Sequence, residues 1–263
     1  FGVQSIYMKQ NKLTGMYYDY ALAAPVMANM AEKDKPSMLV LGMGTGTYAL
    51  ESRKYFPQLS VSGVEIDGKI TQLAHQYFNL PVDIPVTTYD GRAYLNADQN
   101  QYDVIMVDAY QDITIPFQMS SAEFFTLVKA HLKPNGVMVV NMNMHNGAKG
   151  NINEYLSDTI ASVFANVYTV DVRGYTNREL FATDDDAVME HFDTQIAALK
   201  DQDLSMLMRQ IKGDMIPYHA GNLIFTDDRA PVELMGMRVI DSMIQDEIGY
   251  YKGLYKEKGL QGL

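Results

Sequence analysis

Four short apolar runs, each stopping at a glycine turn or a carboxylate, constrain this chain more than any other feature. Met38-Leu39-Val40-Leu41 stops at Gly42, and residues 61–65 end on Glu65. Val86-Thr87-Thr88-Tyr89 stops at Asp90, and Val104-Ile105-Met106-Val107 stops at Asp108. A fifth run, Val137-Met138-Val139-Val140, follows the turn signal Pro134-Asn135-Gly136. Runs of this length and β-branched content suit a parallel sheet covered on both faces. Between them the spacing predicts helices over 48–56, 69–78 and 121–131, the last with Ser121 at its N-cap.

Beyond residue 150 the pattern predicts a helix over 153–164 and an antiparallel strand pair, 167–172 and 179–183, joined across Gly174. Peripheral helices follow over 187–199 and 204–211, then an extended segment at 223–225 and a long amphipathic helix over 232–250. Asp184-Asp185-Asp186 reads as an N-cap with charge that complements the helix dipole. The strand–helix alternation implies a doubly wound α/β sheet. The antiparallel pair after the fifth strand fits a Rossmann-like, seven-stranded S-adenosylmethionine-dependent methyltransferase-type sheet better than a dehydrogenase sheet.

Composition narrows the function classes. With 21 Lys and Arg against 32 Asp and Glu, the net charge of −11 argues against electrostatic capture of nucleic acid or anionic lipid. The absence of cysteine excludes a disulfide framework, a thiolate zinc site and a cysteine nucleophile. The five histidines show no metal-ligand spacing, so no metal is expected. No apolar run approaches the ~20 residues of a membrane helix.

The first strand end carries Gly42-Met43-Gly44-Thr45-Gly46-Thr47. Glycines there let backbone approach a ligand and expose amides at a helix start. A dinucleotide fingerprint would place a further glycine at 47, where this chain has Thr. Glu65 ends the second strand, 19 residues after Gly46, and is placed to accept hydrogen bonds from ribose hydroxyls. Asp67 is set either to join it or to cap the next helix. Together with Asp90-Gly91 and Asp108, these residues predict a nucleoside-bearing ligand at the carboxyl edge of the sheet.

Longer strings point further. Val64-Glu65-Ile66-Asp67, Asp90-Gly91-Arg92-Ala93-Tyr94-Leu95 and Tyr102-Asp103-Val104-Ile105-Met106-Val107-Asp108 resemble the spermidine synthase (aminopropyltransferase) family. The likeness is greatest to its spermidine-synthase-like branch, often fused to membrane segments. Tyr17-Tyr18-Asp19-Tyr20, Asp108-Ala109-Tyr110-Gln111 with Ile115-Pro116-Phe117, and Thr226-Asp227-Asp228 with Ala230-Pro231-Val232-Glu233 add to it. The match runs from about Gly2 to Glu233. It implies a truncated N-terminal strand region over 1–20 and a catalytic domain over 21–263.

The resemblance implies specific roles. Gly42, Gly44 and Gly46 would surround the donor, decarboxylated S-adenosylmethionine, as a co-substrate with no tightly bound cofactor. Glu65 would hold the ribose, Asp90-Gly91 would face the adenine, and Gln4 would contact the donor. Asp108 would stand beside the reactive end and the attacking amine, with Tyr110 orienting or gating. Asp227 and Asp228 would either face the amine or cap the long helix. This chain also departs from the family. Gln111 stands where a second loop acid is usual, Thr45 replaces an acid, and Tyr18-Asp19-Tyr20-Ala21 replaces a Y-H-E-M-type segment. The donor half is retained and the acceptor half altered.

The expected activity is transfer of an aminopropyl group to an amine. Two alternatives use the same nucleoside contacts: an S-adenosylmethionine-dependent methyltransferase with a small acceptor, and a non-catalytic ligand-sensing domain of a membrane protein. The long helix is expected either to pack on the core or to serve a homodimer. The chain opens at Phe1 with neither an initiator Met nor a signal pattern. We therefore expect an upstream, transmembrane segment, with this domain on the cytoplasmic side.

Overall fold

The structure, a computed structural model, describes residues 5–9, 12–109, 115–143 and 150–258. One sheet organises them. Its strands are β1 (Ser37–Leu41), β2 (Ser60–Glu65), β3 (Val86–Thr88), β4 (Tyr102–Val107), β5 (Leu132–Met142), β6 (Asn166–Asp171), β7 (Arg178–Thr183) and β8 (Ile216–Pro217). They lie side by side in the order β3-β2-β1-β4-β5-β7-β6-β8. The five apolar runs are the five parallel strands. The expected antiparallel pair is β6 and β7, and β7 also runs antiparallel to β5. The methyltransferase-type α/β sheet is therefore present, with one strand more than expected. The two-residue β8 extends the β6 edge, too short for any alternation to announce it.

The helices are α1 (Tyr17–Ala21), α2 (Ala23–Met27), α3 (Thr47–Tyr55), α4 (Gly68–Tyr77), α5 (Gly91–Ala97), α6 (Ala122–Ala130), α7 (Ile152–Ala161), α8 (Val188–Ala198), α9 (Gln202–Asp214) and α10 (Val232–Lys258). Asp67, Asp90, Ser121, Asn151 and Asp201 each cap a helix by accepting a backbone N–H in its first turn.

Strand parity divides the core in two. Met38 and Val40 of β1, Val104 and Met106 of β4, and Val137 and Val139 of β5 face a core shared with α1, α2, α3, α8 and α9. Leu39, Leu41, Ile105, Val107, Met138 and Val140 face the other, shared with α5, α6 and α7. Each fully buried aliphatic side chain of this kind contributes about 1.5–3 kcal/mol. Both faces of β1, β4 and β5 are thus covered, as their unbroken apolar runs require, whereas β3 is largely exposed.

The sequence reading is corrected at two places. The described residues before β1 form no strand, and Tyr17–Ala21 is helical. Tyr17, Tyr18 and Tyr20 are buried there, so packing overrides the β-preference of tyrosine. The Asp184–186 run does not cap α8, whose N-cap is Ala187. Asp185 instead accepts the Ala187 N–H at 3.0 Å and meets His191 Nδ1 at 2.8 Å, while Asp184 accepts from the Ala165 N–H at 3.0 Å. Residues 223–225, expected as an extended segment, lie outside both helices and strands. The core role expected for the long helix holds at its start, where Val232 is buried, but Leu234, Met237, Ile244 and Ile248 are exposed. No helix among the described residues is long and apolar enough to cross a membrane.

Candidate active site

The order of connection reverses between β1 and β4: β2 and β3 lie to one side, β5 to the other. Such a switch point opens a crevice beyond the carboxyl ends of the strands. Gly42 and Asp108 stand on its two sides. Gly42 has φ +85°, and a Cβ there would lie 2.5 Å from the Asp108 carbonyl oxygen and 2.7 Å from Ala109 Cα. Only glycine tolerates both that conformation and that approach. The amides of Gly42 and Met43 both donate to the Val64 carbonyl at 2.9 Å, and the Asp108 amide donates to Leu41 O at 2.9 Å. The two strand ends are therefore locked together.

The glycine loop closes on Glu65. The Gly44 N–H donates to Glu65 Oε2 at 2.8 Å, and the Asp67 N–H donates to Oε1 at 3.0 Å. Each carboxylate oxygen keeps a second lone pair for another donor. Gly46, at φ +85°, is the N-cap of α3. Thr47, where a dinucleotide fingerprint would have glycine, has its own task. Its hydroxyl accepts from Ile6 N–H at 3.1 Å and donates to Ile6 O at 2.9 Å, tying the N-terminal segment over the loop. The Thr45 hydroxyl is buried without a partner.

Asp90 and Gly91 begin α5. Asp90 Oδ1 accepts the Ala93 N–H at 2.8 Å, so the residue is an N-cap. Its Oδ2 takes only a long bond, 3.4 Å, from Gln118 Nε2. Asp67 likewise caps α4 through the Lys69 N–H at 2.8 Å. Asp227 lies five residues before α10, in the Thr226–Arg229 turn. It forms a bidentate pair with Arg92, at 2.7 and 2.6 Å, and accepts from Ser121 Oγ at 2.5 Å. Gln4 and Tyr110 lie outside the described residues.

Asp108 is the chemical centre. Its Oδ2 accepts from the Tyr17 hydroxyl at 2.7 Å, and its Oδ1 from Asn141 Nδ2 at 2.9 Å. Burial raises its carboxyl from the ordinary 3.8 to about 6, against the opposing pull of these two bonds. Burial, and then the Asp108 charge, hold the Tyr17 phenol well above its usual range, so it stays a donor. The Tyr17 ring packs on Tyr18 with centroids 3.9 Å apart.

Three further residues were not assigned from sequence: Tyr17, Asn141 and Glu179. Parity explains two of them. Val107 pairs with Val140 and Asn141 with Glu179, so the next side chains on the α1-covered face are Asp108, Asn141 and Glu179, one each on neighbouring strands. α1 packs over β5 and β7. Asn141 is bonded on both sides, with its Oδ1 accepting from Asn177 Nδ2 at 2.8 Å. Glu179 is fully buried, and among the described residues neither carboxyl oxygen has a hydrogen-bond partner. Burial, and then the Asp108 charge, push its carboxyl well above the ordinary range. A polar residue ending the apolar β5 run was a legible signal for Asn141. Nothing local marked Glu179.

Comparison with known proteins bears on these features. Residues 20–184 match the model of the spermine/spermidine synthase domain. A probable polyamine aminopropyl transferase from Bifidobacterium longum is 53% identical over all of this chain, which spans 62% of that protein. A crystal structure of a probable spermidine synthase from Corynebacterium glutamicum is 19% identical, with TM-score 0.58 over 83% of this chain and 82% of that one. Human methyltransferase-like protein 13, crystallised with SAH, is 22% identical, with TM-score 0.61 over 70% of this chain and 92% of that one. At these identities the two solved structures show the fold.

Proposed function

The chain belongs to the spermine/spermidine synthase domain family, and from that premise we propose that it transfers an aminopropyl group from decarboxylated S-adenosylmethionine to an amine. The observation that carries the reading is Asp108. It is a carboxylate at the β1/β4 switch point, touching the glycine loop on its backbone side and bonded to Tyr17 and Asn141 on its side-chain side. The activity named for the Bifidobacterium longum relative accords with it.

The donor would lie along the loop. Glu65 would take ribose hydroxyls on its free lone pairs, and Asp90 Oδ2 would face the adenine amino group. The backbone of Gly42, Gly44 and Gly46 would surround the donor, with open space at Gly44, where a Cβ would meet nothing within 4 Å, and the Thr45 hydroxyl would offer it a further polar group. Gln4 and Tyr110 keep the donor-contact and orienting roles that the family resemblance implies.

The transfer itself is a displacement. A C–N bond forms as the C–S bond of the sulfonium breaks, giving neutral methylthioadenosine, and one proton leaves the nitrogen. The sulfonium is already a good leaving group, so the protein mainly positions the reactants. An aliphatic ammonium has a pKa near ~10, and little of it is neutral at pH 7. A carboxylate at about 6 is a stronger base than one at 3.8, which narrows the gap across which the proton must move. Asp108 would hold the cation and then accept that proton.

The test is direct. Purified protein given decarboxylated S-adenosylmethionine and a panel of diamines should release methylthioadenosine, read by mass spectrometry. No release with any amine, or S-adenosylhomocysteine formed from the carboxylated donor instead, overturns the reading.

A further inference from the structure

Thr47 stands one residue beyond the glycine loop, at the first position of α3, with 5% of its surface exposed. A hydroxyl offers one donor and two acceptor sites. Here it donates to the Ile6 carbonyl at 2.9 Å and accepts the Ile6 N–H at 3.1 Å, so it takes up both polar groups of one backbone residue. The Tyr18 hydroxyl meets the same side chain, and also those of Ser5 and Tyr17. Helix propensity does not account for this residue, because threonine is among the weaker helix formers and these bonds leave the helix. A glycine at 47 could make none of them.

The partner segment depends on this contact. Residues 5–9 belong to no helix or strand, and Ile6 is half-buried against the core. Among the described residues, the hydrogen bonds that hold the segment run to Thr47 and Tyr18. The clasp also sits between the two halves of the site. On one side is the glycine loop, whose Gly44 amide holds Glu65. On the other, Tyr18 stacks on Tyr17, whose hydroxyl donates to Asp108. At the far end of α3, Lys54 donates to the Lys12 carbonyl at 2.9 Å, so the chain ahead of α1 is tied to both ends of that helix.

We propose that Thr47 is a positioning residue of the nucleoside site, whose hydroxyl clasps residues 5–9 to the glycine loop and sets how fast the nucleoside leaves. The proposal rests on the aminopropyl-transfer reading for the nucleoside and adds to it the residue that retains the nucleoside. The coupling is mutual. A nucleoside lying along the loop fixes the start of α3 on which the clasp closes, and a closed clasp fixes the loop for the nucleoside. By linkage each therefore stabilises the other by the same factor.

The experiment compares wild type, Thr47→Val and Thr47→Ser as whole chains. Valine keeps the shape and removes every one of these bonds, whereas serine keeps the hydroxyl. Release of methylthioadenosine is read on a biosensor, and amide exchange at Ile6 by NMR. Each hydrogen bond is worth severalfold net, so Thr47→Val should release methylthioadenosine about tenfold faster or more, and exchange the Ile6 amide faster by the same order. Thr47→Ser should stay within about threefold of wild type. Methylthioadenosine should slow Ile6 exchange in wild type and Thr47→Ser, and not in Thr47→Val. A threonine that only holds the fold together would lower the thermal midpoint of Thr47→Val and leave release unchanged, which overturns the proposal. So does a Thr47→Ser protein that fails to restore slow release, or Ile6 exchange in wild type that ignores methylthioadenosine. Neither readout needs turnover. Thr47-dependent release in a protein that forms no methylthioadenosine from the decarboxylated donor supports this inference and overturns the transfer reading. Turnover with release unchanged in Thr47→Val does the reverse.

Discussion

The Tyr17 hydroxyl donates a 2.7 Å hydrogen bond to Asp108 Oδ2 across 91 residues of sequence, joining the first helix to the end of β4. It stabilises the ionised form of a carboxylate that burial otherwise pushes toward neutrality. The Tyr17→Phe variant removes that donor, so the Asp108 carboxyl should move further up from about 6. Methylthioadenosine release measured against pH should show its acidic limb displaced upward, with kcat/KM lowered about tenfold near neutral pH and less in alkali. An unmoved limb would show that the bond does not tune Asp108.

Asp108→Asn keeps the shape and removes the base. Release of methylthioadenosine should fall by about two to four orders of magnitude, with nucleoside affinity within a few-fold of wild type. Calorimetry with methylthioadenosine and a steady-state assay separate the two effects. Retained turnover would displace Asp108 from its proposed role.

The same substitution predicts a stability trend of definite sign. The folded carboxyl titrates at about 6 and the unfolded one near ~3.9. Between these values the folded state keeps a proton that the unfolded state has released. The stabilising contribution is therefore complete below the unfolded value and lost as pH rises through about 6. Thermal midpoints of Asp108→Asn minus wild type should grow more positive from about pH 4 to about pH 7. A difference that shrinks over that range would mean burial does not dominate.

Asp90 separates capping from recognition. Asn caps a helix as well as Asp does, whereas Ala costs about 1 kcal/mol. Asp90→Asn should leave the thermal midpoint near wild type and weaken nucleoside binding, while Asp90→Ala should lower both. If Asp90→Asn binds methylthioadenosine at full strength, the residue is a cap alone.

Gly42→Ala should be among the most disruptive single-methyl changes in the chain. It forces a side chain into φ +85° and places it 2.5 Å from the Asp108 carbonyl oxygen. Strain of this kind costs about 1–3 kcal/mol, and relief must shift the Asp108 backbone. Chemical denaturation should show the loss of stability, and turnover should fall further than nucleoside binding does.

Much of this was legible in residues 38 to 140. The apolar runs, their glycine or acidic ends and the cap at Ser121 are local patterns that became the elements they predicted, Asp67 took the capping one of its two expected roles, and Asp90 proved to cap a helix, α5, that was not predicted. The strand region that the resemblance implied over 1–20 is a helix at Tyr17–Ala21, where the tyrosines are buried against β5 and β7. The pairing of Asp227 with Arg92, 135 residues away, left no local trace. Thr47 counted only as a missing glycine until its hydroxyl was found holding Ile6.

By itself the sequence determined that β1 to β7 form, that the central ones are buried on both faces, and that glycines and acids gather at the carboxyl ends of the first four. Period-two alternation and helix capping act over a few residues, so they can be read along the chain. Which side chains surround Asp108 was decided by strand order, by register and by the docking of α1. Tyr17 arrives from a helix 91 residues earlier. Asn141 and Glu179 arrive by parallel and antiparallel pairing with strands that leave no local trace of their neighbours. The low-dielectric setting that lifts Asp108 to about 6 and leaves Glu179 unpartnered exists only once those strands and α1 have closed around them.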